Sequence, residues 1–377
     1  MTDSTNPTPP TGDLLYSEIE EDLRASVRSL LDKRSPWDTV LARTETDTTT
    51  DLELWKVLTV EIGCAALAVP EDAGGAGASW REAAVVAEEL GRAVAPVPFL
   101  GSAGIAPALL LELNQSDLVG AAASGALVAA VALPFSTAPD DSPAGVQTRD
   151  GKLYGSVTSV ADAAAADIFL VPAGDAVYRV AADAAGLRRT EVVSLDMTRP
   201  LVDLVFDGAE GDLLAQGVHV PAAVGVALRI GAVLLASEQL GMAERCFEMA
   251  VDYVQMRRQF GRIVGSYQAV KHRLADLWVL LTQARAVARY AAECAATGSP
   301  DLAVAAALAQ AHCSVIAQQV AEECVQLHGG IGFTWEHPAH LYLKRAKSSA
   351  IALGTPERHR EALAELVRIP TPTVKAH

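Results

Sequence analysis

The chain has 377 residues, half of them apolar and a fifth charged, with a formal net charge of -16. Its length allows two or three lobes, each with its own core. The acidic balance excludes a nucleic-acid-binding surface but leaves room for a local basic pocket that takes a phosphorylated cofactor.

Met1–Asp13 is polar and rich in Pro and Thr, with neither a basic n-region nor an apolar h-region. It reads as a disordered tail and not as a secretion signal, which points to a cytoplasmic protein. From Leu14 to Asp117 (14–117) the pattern is helical. Leu14, Ile19, Leu23, Val27, Leu30 and Leu31 recur near a helical period, and Ala84, Val85, Ala87 and Leu90 repeat it across Trp80–Ala93. Between these lies an apolar, strand-like piece, Ala66–Val69, that runs into a Gly-rich loop ending at Gly77.

From Leu118 to Val220 (118–220) short β-like runs alternate with turn residues. The expected strands are Ala126–Leu133, Lys152–Ser159, Ile168–Val171, Ala176–Val180, Glu191–Leu195 and Leu201–Phe206, separated by Pro134, Pro139–Pro143, Gly151 and Gly174. Such spacing predicts a small β-barrel or sandwich. From Pro221 to the C-terminus (221–377) helices return. They are expected at Pro221–Met256, Gly265–Ala296, a third helix started by Gly298-Ser299-Pro300-Asp301 and ended at Gly329-Gly330, then His340–Ala352 and Pro356–Val367. Long helices with short loops predict a four-helix bundle. The fold class is thus multi-domain α+β: helical, then β, then helical. No apolar run approaches the roughly 18 residues of a membrane span, so no membrane partner is expected. Cys64, Cys246, Cys294, Cys313 and Cys324 form no CxxC pair and have no His at metal-ligand spacing, so they read as buried free thiols and no metal site is expected.

Two segments carry chemistry. Met256-Arg257-Arg258-Gln259-Phe260-Gly261-Arg262, with Tyr267-Gln268-Ala269-Val270-Lys271-His272 behind it, resembles the Arg-x-x-Phe-Gly signature of the acyl-CoA dehydrogenase family. Gln326-Leu327-His328-Gly329-Gly330-Ile331-Gly332-Phe333 resembles that family's second signature, and Ala66–Gly75 with Glu88-Glu89-Leu90-Gly91 its N-terminal pattern. An Arg at a helix end offers a planar fork of donors to a diphosphate. Phe260 can pack on a ring, and Gly329-Gly330 permits close approach of a ligand to the backbone. Each residue alone has a plainer reading: a charge serving the helix dipole, a core Phe, a C-cap. The resemblance implies FAD, whose adenosine diphosphate portion these elements hold from the neighbouring subunit. It assigns Arg257, Gln259, Phe260, Gln268, Gln326, Gly329, Gly330 and Thr355 to the cofactor.

The family's reaction, α,β-desaturation of an acyl-CoA thioester, needs a carboxylate base. In most members it is a Glu just before Gly-Thr, and here Leu353 stands before Gly354-Thr355. Some members place it on the first bundle helix, a position that falls near Gly231. Glu238, Glu244, Glu336 and Glu357 are offset from both places. The ring-side segments of the family correspond to Ala132–Thr137 and Ser159–Ala164, without its Thr-Glu-Pro or Trp. No residue of this chain is therefore assigned as catalytic. The resemblance is strongest to the non-catalytic subunit of a heteromeric bacterial acyl-CoA dehydrogenase, a heterotetramer of α2β2 form acting in lipid metabolism. A paralogous subunit would supply the Glu base, a steroid side-chain or other bulky acyl-CoA would be the substrate, and an electron-transfer flavoprotein-like protein the acceptor. A self-sufficient homomeric enzyme with an atypical base and a non-enzymatic scaffold remain as alternatives.

Overall fold

The computed structural model describes residues 14–142 and 145–368; the expected tail 1–13 and Pro143 lie outside the described residues. Six helices open the chain: α1 (Glu18–Arg34), α2 (Trp37–Arg43), α3 (Leu52–Val57), α4 (Trp80–Ala93), α5 (Ala106–Glu112) and α6 (Ser116–Ala123). The helical region therefore runs through α6 to Ala123, past Asp117. Local sequence explains the two longest. Ser17 and Ser79 begin capping boxes with Glu20 and Glu82, where Ser17 N–H donates to Glu20 at 2.7 Å and Ser79 N–H to Glu82 at 2.9 Å. A cap of this kind is worth about 1 kcal/mol. Ala66–Val69 is not a strand. Closed in by Gly63 at φ +76° and by Pro70, it folds as consecutive turns, with Ala66 and Val69 carbonyls accepting from Ala76 and Gly77 N–H at 2.9 Å each. No neighbouring strand offers it a ladder.

The middle region holds β1 (Ala129–Val131), β2 (Val146–Arg149), β3 (Lys152–Ala161), β4 (Ile168–Ala173), β5 (Ala176–Ala181), β6 (Leu187–Val192), β7 (Leu201–Ala209) and β8 (Asp212–Gln216). They form two four-stranded sheets, β1-β4-β5-β8 and β2-β3-β7-β6, antiparallel except for the parallel β1–β4 pair. Phe169, Val171, Val180, Leu204 and Phe206 fill the core between them. The expected strand over Glu191–Leu195 is displaced. Pairing ends at Val192 opposite Leu201, where β7 begins, so Val193 and Leu195 are left exposed in the connecting loop. The long strand expected over Ala126–Leu133 shrinks to β1, because Pro134 turns the chain away from the sheet. β2 and β8 were not expected; both are edge strands, mostly exposed, and carry no alternating pattern.

The C-terminal region comprises α7 (Val220–Met256), a small hairpin of β9 (Arg258–Gln259) and β10 (Arg262–Ile263), α8 (Gln268–Ala296), α9 (Leu302–His328), α10 (Ala339–Ser349) and α11 (Pro356–Leu366). α9 packs along α7, α8, α10 and α11. α8 starts three residues later than expected, after a 3₁₀ turn over Val264–Ser266, and α9 starts at Leu302, with Ser299 Oγ accepting from Asp301 N–H at 3.2 Å instead of capping the helix. α10 stops short of Ala352 because the chain reverses at Leu353, φ +54°. α7 is long and apolar enough to cross a membrane, yet 78% of its apolar window is buried inside this protein. All five cysteines are buried and free.

The helical regions do not keep separate cores. One apolar cluster runs from Val27 and Leu90 through Leu234 and Leu235 to Ile316 and Leu341, and only the β region has a second. The join is a crossing of α4 on α7 at backbone contact. A Cβ added to Gly91 would lie 2.0 Å from the Glu238 carbonyl oxygen, and one added to Gly241 would lie 1.8 Å from that of Glu88. Only glycine fits at either position. The side chains of Glu88 and Glu238 then meet arginines: Arg24 reaches Glu88 at 2.6 Å, while Arg199 and Arg345 reach Glu238 at 2.5 and 3.0 Å.

Candidate functional site

The C-terminal end of α7 turns into the hairpin through Arg257, whose carbonyl accepts from Val264 N–H at 2.8 Å. Phe260 and Gly261 form the two-residue tip with φ +50° and +79°, the geometry of a type I′ turn. For Phe this left-handed backbone costs about 1 kcal/mol. The side chain is 92% exposed, so the strain is not repaid by burial within this chain. Tyr267 Oη donates to the Gln259 carbonyl at 3.3 Å, and the Arg262 guanidinium lies 3.7 Å from the centre of the Tyr267 ring. Gln268 is the first residue of α8, whose N-cap, Tyr267, provides no side-chain acceptor. The uncapped helix start thus adds its partial positive charge to that of the arginines.

The second signature reaches the same face. Tyr253 on α7 stacks on His328 at the end of α9 with ring centres 4.5 Å apart, and His337 lies 4.1 Å beyond. His328 Nδ1 donates to the Cys324 carbonyl at 2.7 Å, which fixes the last turn of α9. Gly329 follows at φ +63° and ψ -140°, and a Cβ on Gly329 or Gly330 would meet nothing within 4 Å. Gln326, Gly329 and Gly330 are exposed. Arg257, Gln259, Phe260, Gln268, Gln326, Gly329 and Gly330 therefore line an open face with unclaimed cations and room at the backbone. This donor set fits a diphosphate and an adjoining ring. Thr355 stands apart from them: it is the N-cap of α11, accepting from Arg358 N–H at 3.3 Å.

The two positions for a base converge, and both are hydrocarbon. A Cβ added to Gly231 would fall 2.7 Å from Ile105 and 3.1 Å from Leu353 Cδ1. Leu353 is 2% exposed. Its N–H donates to the Phe135 carbonyl at 2.7 Å and its carbonyl accepts from His359 Nε2–H at 2.9 Å. The remaining cavity, bounded by Ile105, Leu133, Phe135, Asp162, Leu228 and Leu353, has a volume of about 30 Å³. That is about one water's share of liquid volume. An isoalloxazine ring does not fit there. Asp162, the polar wall, accepts from Gly101 N–H at 2.7 Å; burial raises its pKa, against the pull of Arg199.

The displaced glutamates are committed elsewhere. Burial alone would push Glu238 up, but Arg199 and Arg345 outweigh it and hold its carboxyl below the ordinary range. Arg345 also meets Asp196 at 2.5 Å. Glu244 is bound by Arg285 at 2.5 Å, while Glu336 and Glu357 are exposed. None faces the Leu353 cavity. Sequence reasoning missed the Asp196–Arg199–Glu238–Arg345 network because its members lie far apart in the chain. It also missed Tyr253, His328 and His337 as the support of the second signature, although His328 sits inside that motif.

Residues 17–113 match the N-terminal domain of acyl-CoA dehydrogenases and residues 221–367 the C-terminal domain. The chain is 37% identical over 351 residues to acyl-CoA dehydrogenase IpdE2 of Mycolicibacterium smegmatis, an alignment that covers 93% of this chain and 98% of that protein. It superposes on a chain of the ChsE4-ChsE5 complex from Mycobacterium tuberculosis with a TM-score of 0.83 at 28% identity, covering 96% and 100% of the two chains. A chain of the Tcur3481-Tcur3483 steroid ACAD variant gives 0.83 at 28% identity, with 93% and 98% covered.

Proposed function

The chain belongs to the acyl-CoA dehydrogenase family, whose members are FAD-dependent oxidoreductases, and from that premise we propose that it is the non-catalytic subunit of a heteromeric enzyme. One observation carries this reading: Gly231 and Leu353, the two places for a base, pack against each other around a cavity of about 30 Å³. A chain so filled has neither a proton acceptor nor space for the reacting ring. Its open face keeps donors for the diphosphate end of a flavin held by a neighbour. FAD bound in the partner would accept the hydride when the acyl-CoA is desaturated. Arg257 and the hairpin would fix the adenosine diphosphate end, Gln268 and Gln326 would donate hydrogen bonds along it, and Gly329-Gly330 would let it approach the backbone. Thr355 is a weaker candidate for the same ligand, since its hydroxyl already caps α11.

The partner in this reading is a paralogous subunit bearing the Glu base, in an α2β2 heterotetramer in the cytoplasm, with an electron-transfer flavoprotein-like acceptor. Likeness to chains of the ChsE4-ChsE5 complex and of a steroid ACAD supports a heteromer acting on a steroid-derived or similarly bulky acyl-CoA. The test is the visible spectrum of the purified chain, alone and co-expressed with such a paralogue. The chain alone should be colourless and inactive, and the pair yellow and able to desaturate an acyl-CoA. Stoichiometric flavin and turnover by this chain alone would overturn the proposal. So would failure of every Glu-bearing paralogue to restore flavin binding, the result expected of a scaffold.

A further inference from the structure

We propose that the partner's FAD acts as the clamp of the assembly: the 257–271 face accepts a flavin-loaded partner and rejects both a flavin-free partner and a second copy of this chain. This rests on the heteromeric reading above. Elsewhere in the molecule arginines meet carboxylates, as Arg24, Arg81, Arg92 and Arg345 do. On this face Arg257, Arg258, Arg262 and Lys271 form no ion pair among the described residues, in a chain whose net charge is -16. The same face exposes Met256, Phe260, Phe333 and Trp335, which gives it apolar surface to bury.

These two properties oppose each other. Burying the apolar side chains favours association, but it also removes water from cations that nothing in the chain neutralises. A diphosphate arriving with the partner supplies the missing negative charge, and the desolvated cations then strengthen the contact. A partner without flavin supplies none. A second copy of this chain supplies none either, because its ring space, about 30 Å³, cannot hold the flavin in place. It would set one cationic hairpin against surroundings that lack the anion. Choice of partner and loading of cofactor thus become one event, and a homodimer of inactive chains is disfavoured without a dedicated clash.

The experiment uses the full chain and a paralogue carrying Glu before Gly-Thr. The two are co-expressed and separated, and the paralogue is prepared with FAD and after removal of FAD. Affinity is measured by titration calorimetry, and oligomeric state by sedimentation, at low and at moderate salt. The FAD-loaded partner should bind at least tenfold more tightly than the stripped one, and the chain alone should stay monomeric. The Arg257→Gln/Arg262→Gln variant, with an unchanged melting temperature as its control for folding, should lose most of that tenfold difference. Equal affinity for loaded and stripped partner would overturn the clamp and leave the heteromeric reading intact, and self-association as tight as the loaded pair would do the same. Binding to neither form would overturn the heteromeric reading itself.

Discussion

Replacing Leu353 by Glu restores the family's residue without restoring its surroundings. The Leu side chain is 2% exposed and touches the space above Gly231. Losing its burial costs about 2–3 kcal/mol. The new carboxyl would enter an apolar cavity of about 30 Å³ beside Asp162, itself buried and raised in pKa. Burial of this kind raises a carboxyl by about 3 units, from about 4.3 in the unfolded chain to about 7. The folded state then binds the proton more tightly than the unfolded one, so the ionisation penalty is absent below about pH 4.3 and grows until the folded value is passed, reaching about 4 kcal/mol. Leu353→Glu should therefore lose about 3–4 kcal/mol at pH 5 and about 6–7 kcal/mol at pH 8. Denaturant titrations at the two pH values, beside the parent chain, measure this difference directly. The isolated variant should also stay colourless when purified with added FAD. An equal loss at both pH values, or flavin binding with turnover by the variant alone, would refute the account of a closed, apolar site.

Three further outcomes follow from geometry. Gly241→Ala and Gly91→Ala each place a methyl group within 2.0 Å of a backbone oxygen at the α4–α7 crossing, and each should cost about 3 kcal/mol in thermal or denaturant melts; Gly298→Ala, at φ +59° in open space, should cost about 1 kcal/mol. Phe260→Asn should stabilise the hairpin by about 1 kcal/mol, because Asn tolerates the left-handed tip, yet the co-purified complex should retain less flavin per partner. His337 is depressed to about 4 by burial and by the neighbouring His328. It stays neutral in the fold while the unfolded chain protonates near 6.5, so stability should fall as the pH drops from 6.5 towards 4. The loss should be about 1–2 kcal/mol at this half-buried site, and His337→Gln should flatten that slope in melts across the range.

The sequence displayed the open half of the site more fully than the closed half, for a physical reason. Arg257, Phe260, Gln326 and Gly330 act through local features, namely a helix end, a turn tip and a pair of glycines, and such features leave contiguous marks. The missing base was legible as well, since Leu353 stands before Gly354-Thr355. What no local pattern could show is that Gly231 and Leu353 meet, because 121 positions of chain separate them and their contact exists only through packing with Ile105. The same holds for Glu238, which reads as an ordinary polar position on α7 until Arg199 and Arg345 arrive from other elements. Edge strands β2 and β8 escaped notice because pairing, and not burial, holds them. The hydrophobic pattern also gave no sign that the first and last helical regions share one core.

The buried pairing at the start of the chain bears on the order of folding during synthesis. Glu20 on α1 is held by Arg81 and by Arg289, and Arg81 reaches on to Glu293 at 2.6 Å. Two of these four residues lie on α8, more than two hundred positions downstream. While the ribosome is still making the β region, α1 and α4 have neither these partners nor the α7 surface that covers Ala84, Leu90 and Gly91. The emerging N-terminal third must therefore wait with its apolar face and charges uncovered until α8 has left the exit tunnel. A pause or truncation before about residue 295 would release a chain unable to close, which makes the nascent polypeptide a natural client for chaperones.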